Sequence, residues 1–320
     1  MSKIISDLSG YAHPKYALSF LGFGELRELP RCGGWILVRQ IPGTPYKDAM
    51  GCYPLFACRD WTKLHEDLEQ IGADLVSLSL VTDSFSGVAP ASLEQHFDLV
   101  KPFKTHYVAD LSHPLEQFIS KGDRRIARRS LEKIDVEICH QPSQYLSNWT
   151  TLHDELISKH NIKGITAFSP KSFGLQFNVP GMVMFLGRRE EEIVGAILCM
   201  IQGKVAYAHL SAFNRSGYEL GASYGIRWMA MRFLREQGIQ YLDLGGAAGI
   251  AENPRDGLAQ FKKAWSNDVR MVHFCSRVFD RQRYEFICQQ KHIANVDHFP
   301  AYRAGEFCAR RKAETGGLES

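Results

Sequence analysis

What most constrains this chain is the order in which its strand-like and helix-like runs follow one another. In the first part, β-type runs at residues 35–40, 54–58, 75–81 and 106–111 are interleaved with helical runs at 61–71, 92–100 and 113–131. Glycine, proline and short polar clusters separate them. A second block opens with a strand at 136–140 and a helix at 145–159. Three β-type runs then follow in direct succession, at 182–187, 193–201 and 205–211. Only short turns divide these three, which predicts antiparallel neighbours. A long apolar helix at 218–237, a strand at 240–244, a helix at 256–265 and a strand at 269–275 complete the block, and residues 314–320 read as a frayed tail. There is no regular βαβ rhythm, so a doubly wound parallel sheet is not expected. The expectation is a mixed α/β, α+β chain of two domains, residues 1–135 and 136–320. A length of 320 residues accommodates two.

Bulk properties exclude several classes. A net charge of +3 sets up no global field for a polyanion, so any nucleic-acid contact must come from a local patch, and DNA binding is not expected. The eight cysteines include no C-x-x-C pair, and several lie in apolar runs; this suggests reduced thiols, a cytoplasmic location and no metal site. The opening residues lack the apolar core of a signal peptide. The most apolar internal run, 193–201, is far shorter than the roughly 20 residues a spanning helix needs, so no membrane span is expected.

Two constellations could carry chemistry. Lys121, Arg124, Arg125, Arg128 and Arg129 recur at helical spacing and form one basic stripe. Five cations in two turns repel unless they are solvated or paired with anions, so the stripe is either a phosphate-binding face or a solvated face paired to Asp123 and Glu132. The second constellation is Y-L-D-L-G-G at 241–246 followed by G-L-A-Q-F-K-K-A-W at 257–265. Asp243 lies inside a β-type run and needs a partner or a cleft. Gly245 and Gly246 permit a sharp turn and close approach of a ligand. Lys262 can hold a phosphate or stabilise charge developing on a carbonyl. His209 and Tyr207 alternate onto one face of a strand, where His209 is a candidate proton acceptor and equally a candidate core residue.

The pairing of Y-x-D-x-G-G with G-L-x-x-F-K-K resembles the C-terminal signature of the Fem-type peptidyltransferases. The arginine-rich helix before E-K-I-D-V-E-I is similar to that family's basic segment between its domains. V-S-L-S-L-V-T-D-S-F at 76–85 and F-K-T-H-Y-V-A-D at 103–110 also resemble distant Fem-like proteins. The resemblance spans about residues 75–275. It implies two tandem GNAT-like domains, each a mainly antiparallel mixed sheet flanked by helices. It implies transfer of an amino acid from an aminoacyl-tRNA to an acceptor amine on a peptidoglycan precursor, a peptide or a small molecule. No cofactor is implied, since the aminoacyl-tRNA is a co-substrate. Phe261 and Lys262 would line the channel where donor meets acceptor, with Asp243 and His209 positioning groups or accepting the proton and Tyr207 binding substrate. Arg124, Arg125 or Arg128 would hold phosphates. Asp123 and Ala127 depart from the family's basic pattern, and the coiled-coil arm of some members is absent.

An acyl-CoA donor is the first alternative. The pyrophosphate loop of ordinary GNAT acetyltransferases, Q/R-x-x-G-x-G/A, does not fall into place in N-R-S-G-Y-E-L-G-A-S at 214–223, and Glu219 adds negative charge there. The second alternative is a non-catalytic RNA- or nucleotide-binding protein using the basic stripe.

Overall fold

The computed structural model describes residues 8–249, 256–293 and 296–306; the tail expected at 314–320 lies outside them. The strands are β1 (Glu25–Leu29), β2 (Gly34–Gln40), β3 (Lys47–Gly51), β4 (Leu75–Val81), β5 (Leu99–Asp110), β6 (Asp135–Cys139), β7 (Met182–Arg189), β8 (Glu192–Gln202), β9 (Val205–Phe213), β10 (Tyr241–Asp243) and β11 (Asp268–Val278). The helices are α1 (Pro14–Leu18), α2 (Leu64–Ile71), α3 (Pro90–Leu93), α4 (Leu115–Phe118), α5 (Lys121–Leu131), α6 (Leu146–His160), α7 (Pro170–Gln176), α8 (Arg215–Glu219), α9 (Ala222–Glu236), α10 (Gly257–Ala264) and α11 (Arg281–Gln290).

All eleven strands join one sheet in the order β1-β2-β3-β4-β11-β5-β10-β9-β8-β7-β6. Each half contributes three antiparallel strands, then a helix, then a fourth strand parallel to the third: β1-β2-β3-α2-β4 and β7-β8-β9-α9-β10. The next strand of each half is given to the other half. β5 pairs with β10, β11 pairs with β4, and β5 and β11 pair with each other. Leaving out β6, the order is the same read from either edge, which is the topological signature of a duplicated unit. Helices cover both faces, because the central strands are apolar on both sides: Leu242 belongs to one core layer with α9 and Trp265, and Tyr207 to the other with Trp149 and Phe173.

Several local expectations need correction. The run 54–58 is not a strand; it touches the sheet only through a bridge from Phe56 to Thr82. The helix expected at 92–100 is only Pro90–Leu93, and Leu99 already begins β5. The helix expected over 113–131 breaks at Ser120, whose hydroxyl accepts the Asp123 N–H at 3.0 Å and caps α5. The helix expected over 218–237 breaks at Gly221, whose φ of +64° suits glycine. Short or polar β1, β3, α1, α7 and α11 carry too little apolar periodicity to be read from sequence.

Candidate functional site

The site is built where β4 and β10 end. These two strands run in opposite directions, so their C-terminal ends point towards one another across β11 and β5. From β10, Asp243 lies level with Val108 of β5 and Tyr207 of β9. From β4, the chain continues as Thr82-Asp83-Ser84-Phe85 over the central strands. Ser84 Oγ donates to Asp243 Oδ2 at 2.5 Å, and Phe85 packs edge-on to Tyr207 and tilted against Tyr241.

Asp243 is 2 % exposed. Its Oδ1 accepts the Gly245 N–H at 2.7 Å, and its Oδ2 faces His106 Nδ1 at 2.8 Å. Burial alone would raise this carboxyl's pKa; the His106 charge and three hydrogen bonds outweigh it and hold the group below the usual carboxylate range. A carboxylate only accepts, so His106 Nδ1 carries a proton towards Asp243, and the lone pair that a base needs can only be on Nε2. That atom makes no hydrogen bond to another described residue, and the side chain is 12 % exposed. Asp83 and Tyr207 form the floor: the Tyr207 hydroxyl donates to Asp83 Oδ1 at 2.7 Å, and burial raises the Asp83 pKa.

Opposite this acidic side stand three cations. Lys262, on α10, donates to the Gly246 carbonyl at 2.7 Å. Asp256 caps that helix, accepting the Leu258 N–H at 2.9 Å. Burial first, then Arg227 and Lys104, press the Lys262 pKa from 10.5 to about 8, against the pull of Asp243 and Asp256. Lys104 Nζ donates to the Ala247 carbonyl at 3.1 Å. The two glycines make room for both lysines: a Cβ on Gly245, whose φ is +74°, would stand 3.2 Å from Lys262 Nζ, and one on Gly246 would stand 3.1 Å from Lys104 Cδ. Arg227, on α9, lies over the Phe261 ring at 5.3 Å. Phe261 in turn meets Tyr224 edge-on at 5.1 Å and Trp265 at 5.9 Å.

The basic stripe is close by. α5 lies along α9 so tightly that a Cβ on Gly225 would stand 2.9 Å from Ser130 Oγ, and one on Gly221 3.4 Å from Ile126. The buried face of α5 is Ala127 and Ser130, and Ile126 is 41 % exposed. Arg125, Arg128 and Arg129 are exposed and Arg124 is half-buried. Among the described residues none of these arginines has a carboxylate within ion-pair distance; Asp123 is held by Ser120 instead. Along α9, Tyr224 and Arg227 link this face to Phe261 and Lys262.

The structure thus places Asp243 with Asp83 and Tyr207 at the end of β10, and Lys262 and Phe261 on α10 with the layer of Trp265, the Gly245–Gly246 turn lying between them; Arg124, Arg125 and Arg128 lie on α5, which packs against α9. His209 lies apart. Its Nδ1 is 3.0 Å from the Tyr11 hydroxyl and its Nε2 3.1 Å from Gln176 Oε1. The amide oxygen accepts, so Nε2 carries the proton and Nδ1 accepts from tyrosine, leaving no free lone pair. Burial presses its pKa to about 3. His209 packs in the core layer formed with Tyr16 and Phe168. His106, Lys104, Ser84, Asp83 and Arg227 were not singled out from sequence. The available signal was the Lys104–His106 alternation in β5, which places two polar residues on one face of a central strand. Among the described residues no cluster has the make-up of a metal site, and no helix is long and apolar enough to cross a membrane. Two surface clefts, of about 700 and 760 Å³, lie elsewhere, beside His140 and Phe233 and beside Lys159 and Tyr218.

With this geometry in hand, comparisons place the chain. Residues 179–263 match the family described as acetyltransferase (GNAT) domain, a segment running from β7 through Lys262. No curated protein matches the sequence. The fold is similar to the crystal structure of FemX, with TM-score 0.65 and 13 % identity over 86 % of this chain and 93 % of that one. It is similar to the C-terminal domain of a putative lysylphosphatidylglycerol synthetase from Agrobacterium fabrum, with TM-score 0.59 and 16 % identity over 80 % and 84 %. It is also similar to L-PGS from Bacillus licheniformis, with TM-score 0.55 and 15 % identity over 84 % and 93 %. The chain has a GNAT-type fold in two repeated halves, and its overall architecture is similar to that of FemX.

Proposed function

We propose that the protein is an acyltransferase that moves an aminoacyl group from an aminoacyl-tRNA to an acceptor amine. The observation that carries this reading is the opposition of a His106–Asp243 dyad and Lys262 across the Gly245–Gly246 turn, together with a helix whose arginines have no carboxylate partner among the described residues. The amine nitrogen attacks the ester carbonyl carbon directly. His106 Nε2 takes the proton that the nitrogen gives up, and Asp243 holds the ring and balances its charge. The Lys262 ammonium stabilises the oxyanion of the tetrahedral intermediate. As that intermediate collapses, the carbon–oxygen bond to the terminal ribose breaks and the leaving hydroxyl receives the proton from His106. The products are an amide and a free tRNA end, with no covalent enzyme intermediate. Proximity of the two substrates supplies much of the rate. Support comes from the Fem-type motifs at 241–246 and 257–263, which meet at Lys262 and Gly246, and from the lysylphosphatidylglycerol named for one protein of similar fold.

An acyl-CoA donor is favoured by one observation, the match of residues 179–263 to an acetyltransferase domain. The test is filter binding and thermal stabilisation with a pool of aminoacyl-tRNAs against acetyl-CoA and free CoA. Salt-sensitive tRNA binding, with His106→Gln binding as before but forming amide far more slowly, is the expected result. Stabilisation by CoA without tRNA binding would move the protein to the N-acyltransferases. Binding with no turnover by the unaltered protein would leave a non-catalytic RNA-binding role.

A further inference from the structure

Arg227 is the group in this region whose burial the catalytic scheme does not explain. It is 7 % exposed, in the second turn of α9, and its Nε is buried with no hydrogen-bond partner. No described carboxylate pairs with it; Asp243 is occupied by Ser84, His106 and Gly245. A buried guanidinium without a counter-ion is costly, because its desolvation is not repaid by a paired charge. The strain is visible in its pKa, pressed by burial to about 10. The next cation, Lys262, is also held below its ordinary pKa, by burial first and then by the Arg227 charge. In the same aromatic group the Trp265 indole N–H is buried without a partner. A ligand-free core would be more stable with a methionine at 227 than with this arginine, so the surplus positive charge marks a place for an anion.

We infer that Arg227, with Lys262 and against the rings of Phe261 and Tyr224, forms a binding site for a phosphate group of the donor substrate. A planar fork of N–H donors matches phosphate oxygens in pairs, and lysine adds a point charge. Arg124, Arg125 and Arg128 lie on α5, which packs against the same helix α9 that carries Arg227, so a polyanion held on α5 lies beside the helix that bears this site. The site rests on the transferase reading for the identity of the donor. The shared chemistry is a phosphate ester, and its two sources are the acceptor end of a tRNA and the phosphates of CoA.

The experiment is a titration of the whole protein with inorganic phosphate, followed by thermal denaturation, with chloride at matched ionic strength as reference. The unaltered protein is expected to be stabilised by phosphate beyond the chloride control. Arg227→Met is expected to lose that response, with phosphate affinity down about tenfold or more, while melting without phosphate at the same temperature or higher. Arg227→Gln, which keeps a polar side chain, serves if the methionine variant does not fold, and is expected to lose the response equally. No phosphate-specific stabilisation, or an unchanged response in both variants, overturns the site. A tRNA acceptor-stem hairpin and CoA then compete with phosphate in separate arms: competition by either supports the site and names its source, and competition by CoA alone keeps the site while removing the tRNA reading.

Discussion

At the scale of single residues, the dyad and the lysine make separable predictions. His106→Gln keeps a donor towards Asp243 but has no proton-accepting lone pair of comparable basicity. It is expected to lower the rate of amide formation by about 10²–10⁴ with donor binding unchanged. Asp243→Asn removes the acceptor that fixes the tautomer and is expected to lose a similar factor; single-turnover assays with each variant check both. Lys262 makes a pH prediction. Its pKa is 10.5 when free and about 8 in the fold, so between these values the folded state holds fewer protons than the unfolded one. The resulting penalty is complete below pH 8 and fades as pH rises towards 10.5. Lys262→Met is therefore expected to be the more stable protein at pH 7, by on the order of 2–3 kcal/mol, with the gap closing by pH 10.5; urea unfolding at several pH values measures it. Lys262, Phe261 and Asp243 were legible in the sequence because they stand in a short motif around two glycines. His106 and Ser84 were not, because each reaches Asp243 from more than 130 residues away, and only the sheet order brings them together.

At the scale of elements, α5 and its packing against α9 decide whether the arginines serve a ligand. Their lack of carboxylate partners among the described residues means that little in the fold depends on their charge. Replacing Arg124, Arg125 and Arg128 together with Ala is expected to leave the melting temperature unchanged or raised, since like charges are removed. The same variant is expected to lower the slope of log affinity against log salt for tRNA by about 2 to 3, which filter binding across a salt series would show. An unchanged slope would mean that the stripe is a solvated face and nothing more. The apolar run of β8 and the spaced apolar residues of α6 were legible from pattern alone. The breaks at Ser120 and Gly221 were less so: one is set by a cap and the other by a positive φ, local features that interrupt a pattern without changing its composition.

At the scale of the whole molecule, the exchange of β5 and β11 ties the halves together. β5 lies between β11 and β10, and β11 between β4 and β5, so neither half can complete its sheet without a strand from the other. The terminal segments cross over as well. Tyr11, Tyr16 and Phe20 enter the core of the second half, while Arg303 forms a buried pair with Asp48 of β3, donating to both its carboxylate oxygens at 2.6 Å. Removing one partner of such a pair leaves a buried charge, and Asp48→Ala is expected to cost about 3–5 kcal/mol in equilibrium unfolding. This reciprocity was invisible in the sequence, where β5 and β11 read as ordinary strands of their own blocks. It also explains why the site sits at the middle of the sheet: the exchange turns the ends of β4 and β10 towards each other, so that Ser84 of one half reaches Asp243 of the other. Residues 1–135 and 136–320 expressed separately are expected to be insoluble or unfolded, because each would leave central strand edges open. Expressed together, they are expected to assemble and recover donor binding, and the intact chain is expected to unfold in a single transition by both circular dichroism and tryptophan fluorescence. Two well-separated transitions, or a stable folded product from either half alone, would mean that the exchanged strands are dispensable and that the site can be completed from within one half.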